Sequence, residues 1–134
     1  SLLKKARDES GTSVLYISHD LANVYSICDR VMIMYAGEIV EQAKRKDLYS
    51  DPLHPYTQGL LDSIPKLGGD IPVFLRTIEG SPPNPANYPK GCRFAPRCKY
   101  VMDICKNEHP NEYMVQDRIV RCFKFNHNPE VKHD

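Results

Sequence analysis

Four of the five cysteines lie close together in the last third of the sequence, and this grouping constrains the fold more than any other feature. Cys92, Cys98, Cys105 and Cys122 are separated by five, six and sixteen residues. The surrounding region, residues 80–125, has few large apolar side chains. Because small regions of that kind usually need a metal or a covalent cross-link to fold, the sequence predicts that the four thiols converge on one site.

The spacing leaves the chemistry of that site open. The number of cysteines is odd and no secretory signal is recognisable, which favours metal or redox chemistry over a disulfide framework. The close cysteine pairs of zinc fingers are absent, and so are the common ferredoxin spacings. Four soft ligands in one region still favour an iron–sulfur cluster or zinc, with disulfides or unligated thiols as the remaining possibilities. Six nearby cations are expected to lower the thiol pKa values, namely Lys90, Arg93, Arg97, Lys99, Lys106 and Arg121.

The composition is that of a globular protein. Of the 134 residues, 41% are hydrophobic and 26% are charged, and the net charge is +1. A surface that binds nucleic acid needs a clear excess of Lys and Arg, so no nucleic-acid partner is expected. No apolar run approaches the roughly 18–20 residues that span a bilayer as a helix.

The first 43 residues have the pattern of an α/β fragment. A helix is predicted to end at Ser10-Gly11, and the apolar run Val14–Ile17 predicts a strand buried on both faces of a parallel sheet. A second helix, capped by Ser18 or Asp20, follows directly. The stretch "RVMIMYAGEIVEQ" then predicts two strands joined by a tight turn at Ala36-Gly37. These are too few strands for a complete sheet, so we expect an α/β remnant.

Residues 44–134 have a different sequence pattern and are predicted to form a small, irregular, cysteine-rich extension. Pro55 can begin a helix that Pro65 must end, and a strand is predicted at Val73–Ile78. The stretch "GSPPNPANYPKG" predicts an extended, stiff connector that leads into the cysteine segment.

His19 directly follows the predicted strand in "VLYISHDL". An imidazole at the carboxyl edge of a parallel sheet, beside a helix amino terminus, can donate a hydrogen bond to a phosphate and help to bear developing charge. The alternative is an ordinary loop histidine beside the capping residue Asp20, and position alone does not separate the two.

Three further residues are assigned lesser roles. Cys28 lies on the apolar face of the second predicted helix and is interpreted as a small buried hydrophobe. His54, before Pro55, is interpreted as a turn or cap residue. His109 is interpreted as a loop histidine that could replace one cysteine as a ligand.

Taken together, these motifs resemble a known family. The stretch "VLYISHDLANVYSICDRVMIMYAGEIVE" resembles the end of an ABC-transporter ATPase domain, with "ISHDL" as its switch-histidine motif. The stretches "DPLHPYTQGLLDSIP" and "EGSPPNPANYPKGCRFAPRC" resemble the carboxyl-terminal extension of the oligopeptide/dipeptide importers. The resemblance covers roughly residues 1–125. It assigns residues 1–43 to the end of the nucleotide-binding domain and residues 44–134 to the extension, with the cysteine site at 92–122.

The resemblance implies a role for each motif. His19 would contact the γ-phosphate of ATP, and the four cysteines would hold a [4Fe–4S] cluster, with zinc as the alternative. The partners would be a second ATPase subunit and transmembrane permease subunits, at the cytoplasmic face of the cell membrane. The phosphate-binding loop, the signature motif and the acidic magnesium-binding strand end are missing here and lie upstream in the family. ATP and magnesium therefore belong to the full-length subunit, and this chain alone is expected not to hydrolyse ATP.

A second interpretation comes from a different class of protein, a stand-alone zinc-binding or iron–sulfur module with a structural or redox-sensing role. For the isolated chain, we expect exposed apolar surface at Val14–Ile17 and Val31–Met34, and self-association that covers it.

Overall fold

The computed structural model describes residues 2–64 and 77–131. Within these ranges the helices are α1 (Leu2–Ser10), α2 (Leu21–Ile27), α3 (Arg45–Ser50), α4 (Pro55–Asp62) and α5 (Asp103–Asn107). The strands are β1 (Arg30–Tyr35), β2 (Glu38–Lys44), β3 (Tyr113–Val115) and β4 (Arg118–Val120). Two short 3-10 helices, Ala95–Arg97 and Phe123–Phe125, lie beside the cysteines.

The strands form one antiparallel sheet in the order β1-β2-β4-β3. The predicted turn between β1 and β2 is confirmed: Ala36 and Gly37 have φ angles of 49° and 83°, the left-handed conformation that tight hairpin turns require. Strand β2 then pairs with β4, placing Glu41 opposite Val120. Strand β2 therefore continues across the boundary that was predicted between residues 43 and 44. The sheet joins the hairpin to β3 and β4, which follow Cys105 in the chain.

The core lies on one face of this sheet. Along β1 the side chains alternate, with Val31, Ile33 and Tyr35 buried and Met32 and Met34 exposed. The buried face packs against a cluster that also contains Val40, Ala43, Leu48 and Phe94. Because Phe94 comes from the cysteine segment, the hairpin and that segment share one core.

The helix boundaries agree with the sequence signals. Asp20 caps α2 by accepting hydrogen bonds from the backbone N–H groups of Ala22 and Asn23, both at 3.0 Å. Helix α4 begins at Pro55, as predicted, and His54 caps it. No helix among the described residues is long and apolar enough to cross a membrane.

The prediction of a buried parallel strand at Val14–Ile17 is wrong. This segment forms neither helix nor strand, and Leu15 and Ile17 are 84% and 85% exposed. A parallel strand needs neighbours that accept its backbone hydrogen bonds, and the part of the chain that the structure describes places none beside it.

The expected exposed apolar surface is found in part, and the strand expected at Val73–Ile78 falls mostly on residues outside the described ranges. Exposed apolar surface is confirmed at Val14, Leu15 and Ile17, but between Val31 and Met34 only the two methionines are exposed. Self-association stays a prediction. The strand predicted at Val73–Ile78 lies outside the described residues in its first four positions, and Thr77 and Ile78 form no strand.

Candidate metal centre formed by four cysteines

Cys92, Cys98, Cys105 and Cys122 line one pocket, called here the four-cysteine pocket. Each of the four thiols interacts electrostatically with the other three. Cys105 is buried and the other three are half-buried. The remaining walls are His54, Pro55, Phe94, Ala95, Tyr100, Met102, Phe123 and Lys124.

Backbone N–H groups lie near three of the sulfurs and act to lower their pKa values. Those of Phe94 and Ala95 act on Cys92, that of Tyr100 on Cys98, and that of Lys124 on Cys122. In each case the donor lies two residues after the cysteine, and at Cys92 a second lies three residues after it. Hydrogen bonds of this kind favour the thiolate, and they are among the factors that set the properties of iron–sulfur clusters.

Backbone packing brings the first and third cysteines together. The N–H of Cys92 donates to the carbonyl oxygen of Cys105 at 2.8 Å. Gly91 lies against the same peptide group, and a Cβ atom at this position would be 2.2 Å from the Cys105 oxygen. Only glycine allows the two segments to approach this closely.

The expectation that nearby cations lower the thiol pKa values is wrong for three of the four cysteines. Burial raises the pKa of Cys92 and of Cys98, and raises that of Cys122 to about 11. Lys99 and Lys124 oppose this increase in the pKa of Cys98, but burial has the larger effect.

The three arginines among the six expected cations are engaged elsewhere. Arg93 donates to the carbonyl of Ala36 at 2.6 Å and pairs with Glu38. Arg97 donates to the carbonyls of Ile78 and Glu79. The guanidinium of Arg121 pairs with Glu112 at 2.5 Å. These arginines therefore connect loops to one another and are not placed to stabilise the thiolates.

Across residues 2–64 and 77–131, no three His, Cys, Asp or Glu side chains are close enough together to hold one metal ion. Four thiolates around one zinc have sulfurs about 3.8 Å apart, since each Zn–S bond is about 2.3 Å. In a [4Fe–4S] cluster each cysteine ligand binds a different iron, so the four sulfurs need not approach one another so closely.

A buried polar link beside the pocket was not predicted from the sequence. Glu41 is fully buried, and its two carboxylate oxygens accept the backbone N–H groups of Leu53 and His54, both at 2.9 Å. The signal that could have revealed it is "DPLHPY", because two prolines isolate these two N–H groups from any helix or strand.

His54 is itself part of the pocket wall and is only 1% exposed. Its Nδ1 accepts the N–H of Tyr56 at 3.0 Å, which confirms its interpretation as a cap residue. Burial lowers the pKa of its imidazole to about 3, so the ring is neutral at physiological pH.

The other sequence candidates lie apart from the pocket. His19 is exposed in the segment that precedes α2. The Nε2 atom of His109 is 2.8 Å from Glu38, and His109 is not among the pocket walls. Cys28 follows α2 as its C-cap residue and packs against the core, but it is half-buried and not the buried hydrophobe that its position predicted.

Residues 40–105 match the family of oligopeptide/dipeptide transporters in its C-terminal region. This segment contains most of β2, the whole of α4 and the first three cysteines of the pocket. This part of the chain is therefore similar to the C-terminal region of the oligopeptide/dipeptide transporters.

Relatives extend the similarity to nine-tenths of the chain. The oligopeptide transport ATP-binding protein OppD of Salmonella typhimurium is 44% identical over 124 residues, which are 92% of this chain and 37% of the relative. AppD, the oligopeptide transport ATP-binding protein of Bacillus subtilis, is 48% identical over 125 residues, 92% of this chain and 38% of the relative. The OppD protein of Escherichia coli is 42% identical over 124 residues, 92% of this chain and 36% of the relative. The chain thus spans a little over a third of the length of these relatives.

Proposed function

We propose that the chain is the carboxyl-terminal part of an ATP-binding subunit that powers the import of oligopeptides or dipeptides. One observation carries this proposal: 42–48% identity to oligopeptide transport ATP-binding proteins over nine-tenths of the chain. In this role the subunit lies at the cytoplasmic face of the membrane, with a second ATPase subunit and transmembrane permease subunits as partners. The full-length subunit supplies ATP and magnesium, and His19 contacts the γ-phosphate.

A chimera tests the transport role. The matching third of the Salmonella relative is replaced by this chain, and uptake of a labelled tripeptide is measured in cells that lack the native subunit. We expect uptake, and we expect His19→Ala in the chimera to abolish it because the γ-phosphate loses its hydrogen-bond donor. His127→Ala, which removes an exposed histidine far along the chain from His19, is the matched control and should leave uptake unchanged. An assembled chimera that imports nothing, or imports equally well with His19→Ala, contradicts the proposal.

We also propose that the four-cysteine pocket holds a [4Fe–4S] cluster. Two features support the fit: all four thiols line one pocket, and backbone N–H groups favour the thiolate at three of the sulfurs. A bound cluster would cross-link the loops and could exchange one electron. The chain's own contribution is to hold four soft ligands in a largely apolar setting that limits the access of water.

Anaerobic reconstitution with iron and sulfide tests the cluster. We expect about four iron and four sulfide per chain and a broad visible absorption, as a [4Fe–4S] centre requires. Cys105→Ser should lose this absorption because a ligand is removed, whereas Cys28→Ser, outside the pocket, should keep it. A colourless protein that contains stoichiometric zinc, or a Cys105→Ser chain with unchanged iron content, contradicts the proposal.

A further inference from the structure

Two of the four pocket cysteines, Cys92 and Cys105, are held next to each other by the backbone. The N–H of Cys92 donates to the carbonyl oxygen of Cys105 at 2.8 Å. With standard bond lengths, this contact places the two Cα atoms no more than about 6.7 Å apart. The Cα atoms of disulfide-bonded cysteines are usually about 4.4–6.8 Å apart, so the backbone already meets the main distance requirement for a bond between these two sulfurs.

The two side chains also share their surroundings. Both line the four-cysteine pocket, and Cys92 packs against the apolar cluster that contains Cys105 and Phe123. The close approach depends on Gly91, where a Cβ atom would lie 2.2 Å from the Cys105 oxygen. Both cysteines are free thiols. The fold therefore holds a reduced pair in a position from which it can be oxidised without a large movement of the backbone.

The other two pocket cysteines are held differently. The N–H of Cys98 donates to the carbonyl oxygen of Ala95 at 3.2 Å. The carbonyl oxygen of Cys122 accepts the N–H of Phe125 at 3.0 Å. These contacts lie within the turn of each cysteine. Among the described residues, the first and third cysteines of the pocket are thus the pair that a backbone hydrogen bond joins directly.

We propose that Cys92 and Cys105 form a reversible oxidation site, which a small-molecule disulfide such as glutathione disulfide converts into an intramolecular disulfide in the metal-free chain. The thiolate of Cys92 attacks one sulfur of glutathione disulfide and releases one glutathione. The thiolate of Cys105 then attacks the Cys92 sulfur of this mixed disulfide, and the second glutathione leaves. The two cysteine protons end on the two glutathione molecules. The cysteines are oxidised and glutathione disulfide is reduced, by two electrons in each case.

This bond would regulate the four-cysteine pocket. A metal ligand must be a thiolate, so the disulfide withdraws two of the four ligands. Disulfides in a reducing compartment are usually transient and serve catalysis or redox sensing. Oxidation of the pair would therefore block loading of the pocket, and reduction would restore it. This regulatory part of the inference rests on the proposed cluster, whereas the oxidation site itself does not.

Peptide mapping identifies the bond directly, because trypsin separates all five cysteines. The metal-free chain is incubated with glutathione disulfide, alkylated, and digested without reduction. We expect residues 91–93, which contain Cys92, to be linked to residues 100–106, which contain Cys105. Residues 98–99 and 122–124, which carry the other two pocket cysteines, should be recovered in alkylated form.

Two controls show that the fold selects the pair. In an unfolded chain the shorter loops close more readily, so the same oxidation in urea should mainly link Cys98 to one of its two neighbours, Cys92 or Cys105. In Cys105→Ser the second attack is impossible, so glutathione should remain attached to residues 91–93.

Iron loading is then measured on the oxidised chain before and after treatment with dithiothreitol. We expect oxidation to abolish iron loading, because two ligands are lost, and reduction to restore the loading of the untreated chain.

The outcomes separate this inference from the proposed cluster. A folded chain that links a different pair, stays reduced or carries only glutathione overturns the oxidation site, whether or not a cluster loads. The expected bond combined with unchanged iron loading overturns the regulation of the pocket. A reduced chain that never loads iron overturns the proposed cluster and the regulation with it, and the mapped bond still decides the oxidation site.

Discussion

The carboxylate of Glu41, fully buried in strand β2, accepts the backbone N–H of His54 at 2.9 Å. Its second oxygen accepts the N–H of Leu53 at the same distance. This pair of hydrogen bonds joins the sheet to the residue that caps α4 and lines the four-cysteine pocket. The hairpin is thereby joined to the start of α4, which forms part of the pocket wall.

Replacing Glu41 by Gln should destabilise the chain. The amide can accept only one of the two N–H groups, and its own NH₂ group faces the other, so a buried donor is left unpaired. Loss of a charge-assisted hydrogen bond in a buried setting costs about 2–3 kcal/mol in the free energy of unfolding. Urea denaturation of the metal-free chain measures this cost. Asp117→Asn, which removes an exposed partner of Lys44, is the control and should leave the midpoint unchanged. A midpoint for Glu41→Gln equal to that of the wild type would show that the carboxylate is not needed.

Thr57 offers a change in the opposite direction. Its side chain is fully buried in α4, and its hydroxyl has no hydrogen-bond partner among the described residues. Valine has the same shape and removes the unpaired group, so Thr57→Val should increase the free energy of unfolding by about 1 kcal/mol. Thermal unfolding measures the change, with Thr57→Ser as the matched control that keeps the hydroxyl and loses a methyl group. A lower melting temperature for Thr57→Val than for the wild type would contradict this account.

The neutral state of His54 predicts a pH dependence of folding. Its pKa is about 3 in the folded chain, because of burial, and about 6.5 in an unfolded chain. Between these values the unfolded state binds a proton that the folded state does not. Stability is therefore complete above pH 6.5 and decreases as the pH is lowered, by up to about 1.4 kcal/mol per pH unit. The difference between wild type and His54→Gln in urea denaturation from pH 7.5 to 4.5 isolates this effect. Parallel curves for the two chains would rule it out.

The sequence predicted those elements whose signals are local. The turn at Ala36-Gly37 needs left-handed backbone, and the capping residues Asp20 and His54 satisfy N–H groups only two or three residues away. Such signals are complete within a few residues, so they can be read without knowing the rest of the fold.

What the sequence could not reveal depends on distant partners. The apolar run at Val14–Ile17 has the composition of a buried strand, but a strand also needs neighbours, and this segment forms no strand and leaves Val14, Leu15 and Ile17 exposed. The thiol pKa values were misjudged because sequence shows that arginines are near the cysteines but not where their guanidinium groups point. Arg93 and Arg121 pair with Glu38 and Glu112. Burial, which is a tertiary property, then has the largest effect on the thiol pKa values.

Gly91 should be intolerant of any side chain. A Cβ atom at this position would lie 2.2 Å from the carbonyl oxygen of Cys105, a backbone atom that cannot move without shifting a pocket cysteine. We expect Gly91→Ala to lower the free energy of unfolding by more than about 2 kcal/mol and to reduce iron loading. Gly11→Ala is the control: its Cβ meets nothing within 4 Å, and its φ of +64° should cost only about 1 kcal/mol. Equal melting temperatures and iron contents for the two variants would contradict the close approach.

Cluster loading should become less favourable as the pH falls. Burial raises the pKa values of Cys92 and Cys98, and that of Cys122 to about 11, so these thiols carry protons in the metal-free chain at pH 7. Metal ligation requires thiolates, and each proton that must be released weakens the apparent affinity about tenfold per pH unit below the thiol pKa. Reconstitution at fixed, limiting iron and sulfide should therefore give a steeply lower yield at pH 7 than at pH 8.5. The check is the amount of iron that the chain retains at each pH in the presence of a chelator that stays unprotonated between pH 7 and 8.5. A yield that is flat or that rises as the pH falls would mean that the thiols are already ionised, contrary to their burial.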